Sequence, residues 1–280
     1  MKLIILLLIA SINSQNVWAQ QETAELKTTI LSRDQQLEQM IRQGEAKWLN
    51  DGNAEFLSLF CASLIDTKGS MLWLAAPNQT ILSHGVMQSI CDYYPTVGWQ
   101  ILSLAPAGLD FSGPNLVATS TSGSDGDTAA KPSLMLAKNE AWYEAQDKDN
   151  LAAIVSRLSP AENEILATNS RYVLVANSAS ASIALEAINT QQIKPSAVVL
   201  LNVMHPNDPQ QSRINAQIKA LTIPVLDIYH INTKPAAAKR LRFNKGGNYK
   251  QVMVTAMQND FRGAEQQVLS RIESWLKKLK

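Results

Sequence analysis

The stretch VLVANSASAS, Val173–Ser182, decides the fold of this 280-residue chain. An apolar run ends abruptly at Asn177-Ser178-Ala179, and helical spacing begins immediately afterwards. Ser178 is either a nucleophile on a strand-to-helix turn or part of a helix cap, for which Asn177, Ser178 and Ser180 all have suitable side chains. The rest of the chain is needed to choose between these roles.

The second half of the chain alternates apolar runs with amphipathic segments. The pattern predicts strands at residues 171–176, 196–204, 223–230 and 249–257, and helices at residues 180–189, 209–221, 235–243 and 261–279. Regular alternation of strands and helices is typical of a mainly parallel sheet that is covered by helices on both faces. We therefore expect an α/β fold.

The first half of the chain begins with an antiparallel pattern. The predicted elements are two strands around the turn NDGN in segment 45–64, a strand at 70–77, a helix at 83–97 and a strand at 98–108. Ser83 is the predicted cap of that helix. Residues 112–133 lose all periodicity and are rich in Ser, Thr, Gly and Asp, which predicts a flexible loop. Helical spacing returns at 134–158.

This order of elements resembles the α/β-hydrolase fold, and more closely an uncharacterised family of exported bacterial proteins with a hydrolase-like core. The resemblance covers nearly the whole chain and rests on the segments WLNDGNAEFLSLF, GWQILSLAP, IPVLDIY and NDFRGAEQQVLSRIESWL. In that fold a sharp turn, the nucleophile elbow, needs small residues on both sides of the nucleophile. Ala176 and Ser180 occupy those two positions, and Ser178 is the candidate nucleophile.

The resemblance also implies where the other catalytic groups should stand. The base is a histidine between the last strand and the closing helix, and here Asn259 occupies that place. An amide cannot act as a general base, so the Ser-His-Asp triad is incomplete. The usual place of the acid is the loop after strand 223–230, which reads INTK and has no carboxylate.

Two histidines offer a non-standard base for Ser178. His205 and His230 each follow an apolar strand and should emerge at the carboxyl edge of the sheet, where such folds bind ligands. Asp208 or Asp227 would orient the base, although Asp227 lies within a strand pattern, where an internal partner is the commoner role. The remaining histidine, His84, is expected to face solvent.

The N-terminus predicts export. Residues 1–19 have a short apolar core, and Val17 and Ala19 fit the small-x-small cleavage rule of a secretory signal peptide. An uncleaved anchor is the alternative, although a membrane-spanning helix needs roughly 20 apolar residues. The predicted mature protein is periplasmic or secreted, with an N-terminal helix or arm at 20–45, one domain at 46–280, and no transmembrane segment.

The composition limits the expected partners. The chain has 25 basic and 24 acidic residues and no basic run except LKKLK at its end, so no nucleic-acid partner is expected. Neither a metal-binding spacing nor a phosphate-binding glycine loop is present in the sequence, so no metal or cofactor is predicted. The expected partner is an unknown small molecule or an envelope protein.

The two cysteines, Cys61 and Cys91, are consistent both with a disulfide and with two buried thiols. The resemblance adds one argument for the disulfide. In the hydrolase sheet order the second strand lies beside the fourth, and the helix that carries Cys91 joins the third strand to the fourth. The two cysteines are then expected to approach each other across one face of the sheet.

Three functional hypotheses follow. The leading hypothesis is a pseudoenzyme, a non-catalytic binding or envelope-associated protein that keeps the pocket of the hydrolase fold. The alternative is an esterase-like serine hydrolase that uses Ser178 with a non-standard base. The third is a structural protein that docks through its Gln-rich N-terminal arm. Because the triad is incomplete, the sequence leaves the enzyme question open.

Overall fold

The computed structural model describes residues 32–77, 79–106, 132–204, 208–244 and 246–279, with side chains at all of these except 132–147 and 208–211. Within these ranges no helix combines the length and the apolar composition needed to cross a membrane. The predicted signal peptide lies outside the described residues.

Eight strands form one sheet. They are β1 (Glu45–Asn50), β2 (Glu55–Cys61), β3 (Gly69–Leu74), β4 (Trp99–Leu104), β5 (Tyr172–Asn177), β6 (Ala197–Leu201), β7 (Val225–His230) and β8 (Tyr249–Val254). Their order across the sheet is β1-β2-β4-β3-β5-β6-β7-β8. Strand β2 pairs antiparallel with β1 and β4, and every other pairing is parallel. The predicted mostly parallel sheet with an antiparallel start is confirmed.

Helices cover both faces of this sheet. They are α1 (Arg33–Met40), α2 (Val86–Tyr93), α3 (Pro132–Leu166), α4 (Ser178–Asn189), α5 (Asp208–Ala220), α6 (Lys234–Phe243) and α7 (Glu265–Leu276). Helices α2 and α7 contribute Ile90 and Leu269 to the core on one face. Helices α3, α4 and α5 contribute Ile154, Ile183 and Ile214 to the core on the other.

Strand β3 shows why the central strands carry few polar residues. Met71 and Trp73 pack into the core on the α2 and α7 face, whereas Leu72 and Leu74 pack into the core on the opposite face. Each of these four residues is at most 1% exposed. A strand that is buried on both faces needs apolar side chains at successive positions, so it lacks the alternation of a half-exposed strand.

The hairpin between β1 and β2 is closed by the predicted turn. Asn50 Oδ1 accepts a hydrogen bond from the Gly52 N–H, and Asp51 Oδ1 accepts hydrogen bonds from the N–H groups of Asn53 and Ala54. Short polar side chains that bind the backbone two or three residues ahead stabilise such turns. This local chemistry fixes the antiparallel start of the sheet.

A disulfide joins the antiparallel start to the helical layer. Cys61, at the end of β2, is bonded to Cys91 on α2, and their Cα atoms lie 5.6 Å apart. The cysteines are 30 residues apart in sequence, and closing a loop of this size stabilises a fold by roughly 3 to 4 kcal/mol. Of the two alternatives that the sequence leaves open, the structure therefore contains the bridge.

The start of α2 differs from the prediction. Ser83 does not cap the helix, because its Oγ accepts a hydrogen bond from the Thr80 N–H in a preceding turn. Gly85 precedes the first helical residue, Val86, and has a φ of 78°. A Cβ at Gly85 would lie 2.7 Å from the Asp260 carbonyl oxygen. Close approach of another loop, rather than a serine cap, therefore determines where α2 begins.

The segments before β1 and between β4 and β5 contain the helices α1 and α3. Within the predicted N-terminal arm, α1 starts with a capping box in which Ser32 and Gln35 bind each other's backbone N–H groups. Helix α3 begins at Pro132, so the last two residues of the predicted loop at 112–133 are helical. The rest of that loop lies outside the described residues.

Candidate functional site

The turn from β5 to α4 places Ser178 at the carboxyl edge of the sheet. Ser178 is the first residue of α4 and has a φ of 54°, a left-handed conformation that costs an L-residue roughly 1–2 kcal/mol. It is partly exposed, and no described residue hydrogen-bonds to its hydroxyl. Ala176 and Ser180 on either side are completely buried, as the close passage of a helix over its strand requires.

The capping role that the sequence also allowed is not observed. Asn177 occupies the N-cap position of α4, but its side chain makes no capping hydrogen bond. Instead, Asn177 Nδ2 donates to Gln79 Oε1 at 3.1 Å. The same oxygen accepts a hydrogen bond from the Ala76 N–H at 3.2 Å. The loop that follows β3 is thereby tied to the elbow.

Asn202 is a site residue that the sequence analysis missed. It follows β6, is 1% exposed and has a φ of 51°. Its Oδ1 accepts hydrogen bonds from Thr233 Oγ1 at 2.7 Å and from the His230 N–H at 3.4 Å, while its Nδ2 donates to the Asn259 carbonyl oxygen at 3.3 Å. One side chain therefore joins the ends of β6 and β7 to the loop after β8. In the sequence, the signal for this role is an asparagine that directly follows an apolar strand.

His230 is used within the fold. The residue is 2% exposed. Its Nδ1 accepts a hydrogen bond from the Asn232 N–H at 3.2 Å, and its Nε2 lies 3.0 Å from the Ala256 carbonyl oxygen, which can only accept. These partners assign the neutral tautomer with the proton on Nε2. Because both ring nitrogens are engaged, neither is available to take a proton from Ser178.

Asp227 lies at the centre of a buried polar network. Arg240 Nε and Nη2 donate to its two carboxylate oxygens at 2.7 and 3.1 Å, and both side chains are completely buried. Tyr249 and Gln251 donate to Oδ2 at 2.6 and 2.9 Å. Burial opposes the charge on Arg240, but the attraction and hydrogen bonds of Asp227 and Tyr249 together outweigh it and raise the pKa of Arg240. The carboxylate is paired internally. Its hydrogen-bond partners among the described residues do not include an imidazole, so it does not orient a catalytic base.

The other candidates divide between the surface and the undescribed part of the chain. Asn259 is exposed in the loop between β8 and α7, where the fold analogy expects the base. His84 is exposed and its Nδ1 lies 3.2 Å from Gln88 Oε1. His205 and the side chain of Asp208 lie outside the described residues. Among the described residues, no group of three His, Cys, Asp or Glu side chains is arranged to hold a metal.

The sequence matches one protein family over residues 1–278, and that family is described as "Protein of unknown function (DUF3530)". The chain belongs to this family. A search among curated proteins found no match.

Solved structures with the same architecture are mainly hydrolases by name. Est1E from Butyrivibrio proteoclasticus matches with a TM-score of 0.56 at 9% identity, over 83% of this chain and 98% of its own. An alpha-beta serine hydrolase homologue from Coxiella burnetii matches with a TM-score of 0.55 at 10% identity, over 86% and 99%. The thioesterase domain from the curacin biosynthetic pathway matches with a TM-score of 0.55 at 12% identity, over 82% and 98%. At these identities the likeness shows the α/β-hydrolase fold alone.

The backbone N–H groups around the turn from β5 to α4 can be compared with those of the α/β-hydrolase fold. In α/β-hydrolases the oxyanion hole consists of the backbone N–H that follows the nucleophile and an N–H from the loop after β3. At the first of these positions this chain has the Ala179 N–H, which lies in the first turn of α4, where an N–H has no acceptor within the helix. In the loop after β3, Ala76 donates its N–H to Gln79. The DUF3530 chain therefore keeps the elbow but has one loop N–H already bonded internally.

Proposed function

We propose that this DUF3530 protein binds a ligand at the Ser178 edge of its sheet without hydrolysing it. The observation that carries the proposal is the His230 ring, whose two nitrogens are both engaged by backbone groups. Asn259, in the loop where the fold analogy expects the base, supports it, because an amide cannot take a proton from a serine hydroxyl.

The ligand proposed is a small neutral molecule with a carbonyl group. The Ser178 hydroxyl can donate or accept, and the Ala179 N–H points out of the first turn of α4 without an intrahelical acceptor. Gln79 adds an uncharged amide near the same edge. These groups recognise a carbonyl oxygen by hydrogen bonding and do not supply the base that an acyl transfer needs.

We place this role in the periplasm or outside the cell. The support is the predicted signal peptide together with the Cys61–Cys91 bridge, since disulfides persist mainly in oxidising compartments. Fractionation of cells that express the tagged full-length chain tests the location, and recovery of the protein only in the cytosol with two free thiols would contradict it.

The test of non-catalytic binding combines a covalent probe with a neutral ligand. We expect a fluorophosphonate to leave Ser178 unlabelled in intact-mass measurements, and p-nitrophenyl butyrate to be hydrolysed equally slowly by the wild type and Ser178→Ala. Butyramide, an uncharged carbonyl compound, should shift the backbone NMR signals of residues 177–180 saturably. Gln79→Ala should weaken that binding and Gln88→Ala, the matched exposed control, should not. If butyramide leaves residues 177–180 unshifted, the binding proposal is wrong.

A serine hydrolase is the second candidate, and the backbone of Ser178 favours it. A strained φ at a residue whose hydroxyl has no hydrogen-bond partner among the described residues is the arrangement that the nucleophile elbow provides, and such strain is concentrated at functional sites. Fluorophosphonate labelling that disappears in Ser178→Ala would establish this candidate instead. Loss of that labelling in His205→Ala would then identify the base.

A further inference from the structure

A cavity lies at the end of the sheet opposite to Ser178. It has a volume of about 370 Å³, is open to solvent on one side, and is lined by the beginnings of β3, β5 and β6 and by the last turn of α7. Strand β5 runs from this cavity to the elbow, and six residues of strand span about 20 Å. A ligand here would therefore be independent of one bound at Ser178.

Small residues at the beginnings of the strands create this space. Gly69 and Ala197 line the cavity at the first residues of β3 and β6, and Val173 lines it from β5. The Trp99 ring lies against Gly69, where a Cβ would be only 2.6 Å from Cζ3. Together with Leu276 of α7, these residues give the cavity apolar walls.

Charged groups at the same cavity are mainly cationic. Lys68, Arg171, Lys277 and Glu273 all contribute to its lining. Glu273 is neutralised locally, because its carboxylate accepts hydrogen bonds from Tyr93 Oη at 2.8 Å and from Lys277 Nζ at 2.7 Å. Burial alone would raise the pKa of Glu273, but these bonds and the nearby charges lower it, so the carboxylate stays ionised and paired.

Neither of the two remaining cations forms an ion pair with a described residue, although Lys68 lies within electrostatic range of Glu273. Lys68 Nζ donates to the Val97 carbonyl oxygen at 2.7 Å, which holds the ammonium group in place without neutralising it. Arg171 directly precedes β5, and no described residue forms a hydrogen bond or an ion pair with it. The planar guanidinium group presents a fork of donors that matches a carboxylate or a phosphate.

We propose that this cavity binds an amphipathic anion, a carboxylate or phosphate head joined to a compact apolar body. The head contacts Arg171 and Lys68, and the body packs against Val173, Ala197 and Trp99. Concave, mostly apolar pockets with a few placed polar groups are the usual form of small-molecule sites. This inference does not depend on the proposed role of Ser178.

Calorimetric titration of the full-length protein with octanoate, octyl phosphate and 1-octanol tests the inference. We expect saturable binding of at least one of the two anions, and a preference of at least tenfold over the neutral alcohol. The comparison between octanoate and octyl phosphate identifies the head group. Failure of both anions to bind, or equal binding of the alcohol, would overturn the proposal.

Two variants separate the head from the body of the ligand. Arg171→Gln should weaken binding of the anion at least tenfold and leave binding of 1-octanol unchanged. Ala197→Leu, which fills the cavity, should abolish binding of all three probes. Arg242→Gln is the matched control, because Arg242 is exposed on α6 and does not line the cavity. Equal anion affinity in Arg171→Gln and wild type would contradict the assigned head-group site, whether or not Ala197→Leu folds.

Discussion

Asp227 lies in β7 and Ser178 directly follows β5, two strands away in the sheet, but their polar groups are used in opposite ways. Asp227 is completely buried, and Arg240, Tyr249 and Gln251 donate hydrogen bonds to its carboxylate. Ser178 is partly exposed in a strained conformation, and no described residue bonds to its hydroxyl. We infer that a polar residue with internal partners supports the fold, whereas a strained one with no partner among the described residues is available to a ligand.

Removing a partner from Asp227 has the largest expected effect on stability. Arg240→Met leaves a buried carboxylate without its cation, and breaking a buried ion pair in this way costs about 3–5 kcal/mol. We expect a loss of that size in the free energy of unfolding in urea. Arg242→Met, at an exposed position of α6, should change it by no more than about 0.5 kcal/mol. A loss below about 1 kcal/mol in Arg240→Met would show that the network does not support the fold.

Asn202 shares features with both residues. It is buried and hydrogen-bonded like Asp227, and its backbone is left-handed like that of Ser178. Asn202→Ala removes three hydrogen bonds and places a Cβ-bearing residue without local polar support at a φ of 51°. We expect a loss of about 2–4 kcal/mol in the free energy of unfolding. Asn202→Gly loses the same bonds but tolerates the conformation, so it should be about 1 kcal/mol more stable than Asn202→Ala. Equal stability of the two variants would show that backbone strain does not contribute to the loss of stability in Asn202→Ala.

The smallest change in the free energy of unfolding is expected at Ser178, where the substitution should stabilise the fold rather than destabilise it. Ser178→Gly relieves the left-handed strain, and the greater flexibility of glycine in the unfolded chain offsets part of the gain. The net change should be a stabilisation of up to about 1 kcal/mol in thermal or urea unfolding. In the same helix, Ser182→Gly should destabilise by about 1 kcal/mol, because glycine is unfavourable there and the bond from Ser182 Oγ to the Ala179 carbonyl oxygen is lost. Destabilisation by Ser178→Gly would argue against stored strain at the elbow.

The strands and the class of fold could be predicted from the sequence because they depend on local periodicity. The elbow could be predicted for the same reason, since a strand, a small turn and a helix are contiguous in Val173–Ser182. The internal partner of Asp227 was expected from the cost of a buried charge. Its identity was not, because Arg240 and Tyr249 lie 13 and 22 residues away and reach Asp227 only through sheet and helix packing.

Asn202 and the start of α2 show the limit of local reasoning. The role of Asn202 depends on His230, Thr233 and Asn259, which the topology brings together but no sequence spacing connects. The cap assigned to Ser83 was wrong because a distant loop at Asp260 leaves room only for a glycine in front of the helix. Both outcomes depend on contacts between segments that are far apart along the chain.

The disulfide also bears on the order in which a growing chain can complete its sheet. The covalent ring between Cys61 and Cys91 contains all of β3, the strand that pairs with β4 on one side and with β5 on the other. A nascent chain that ends before residue 172 contains both cysteines and the β4 partner but lacks β5. One edge of an almost wholly apolar strand is then unpaired, and such edges promote aggregation during folding. Once the two cysteines are oxidised, the crosslink holds β2 near α2, so the antiparallel start stays tethered while β5 pairs with β3.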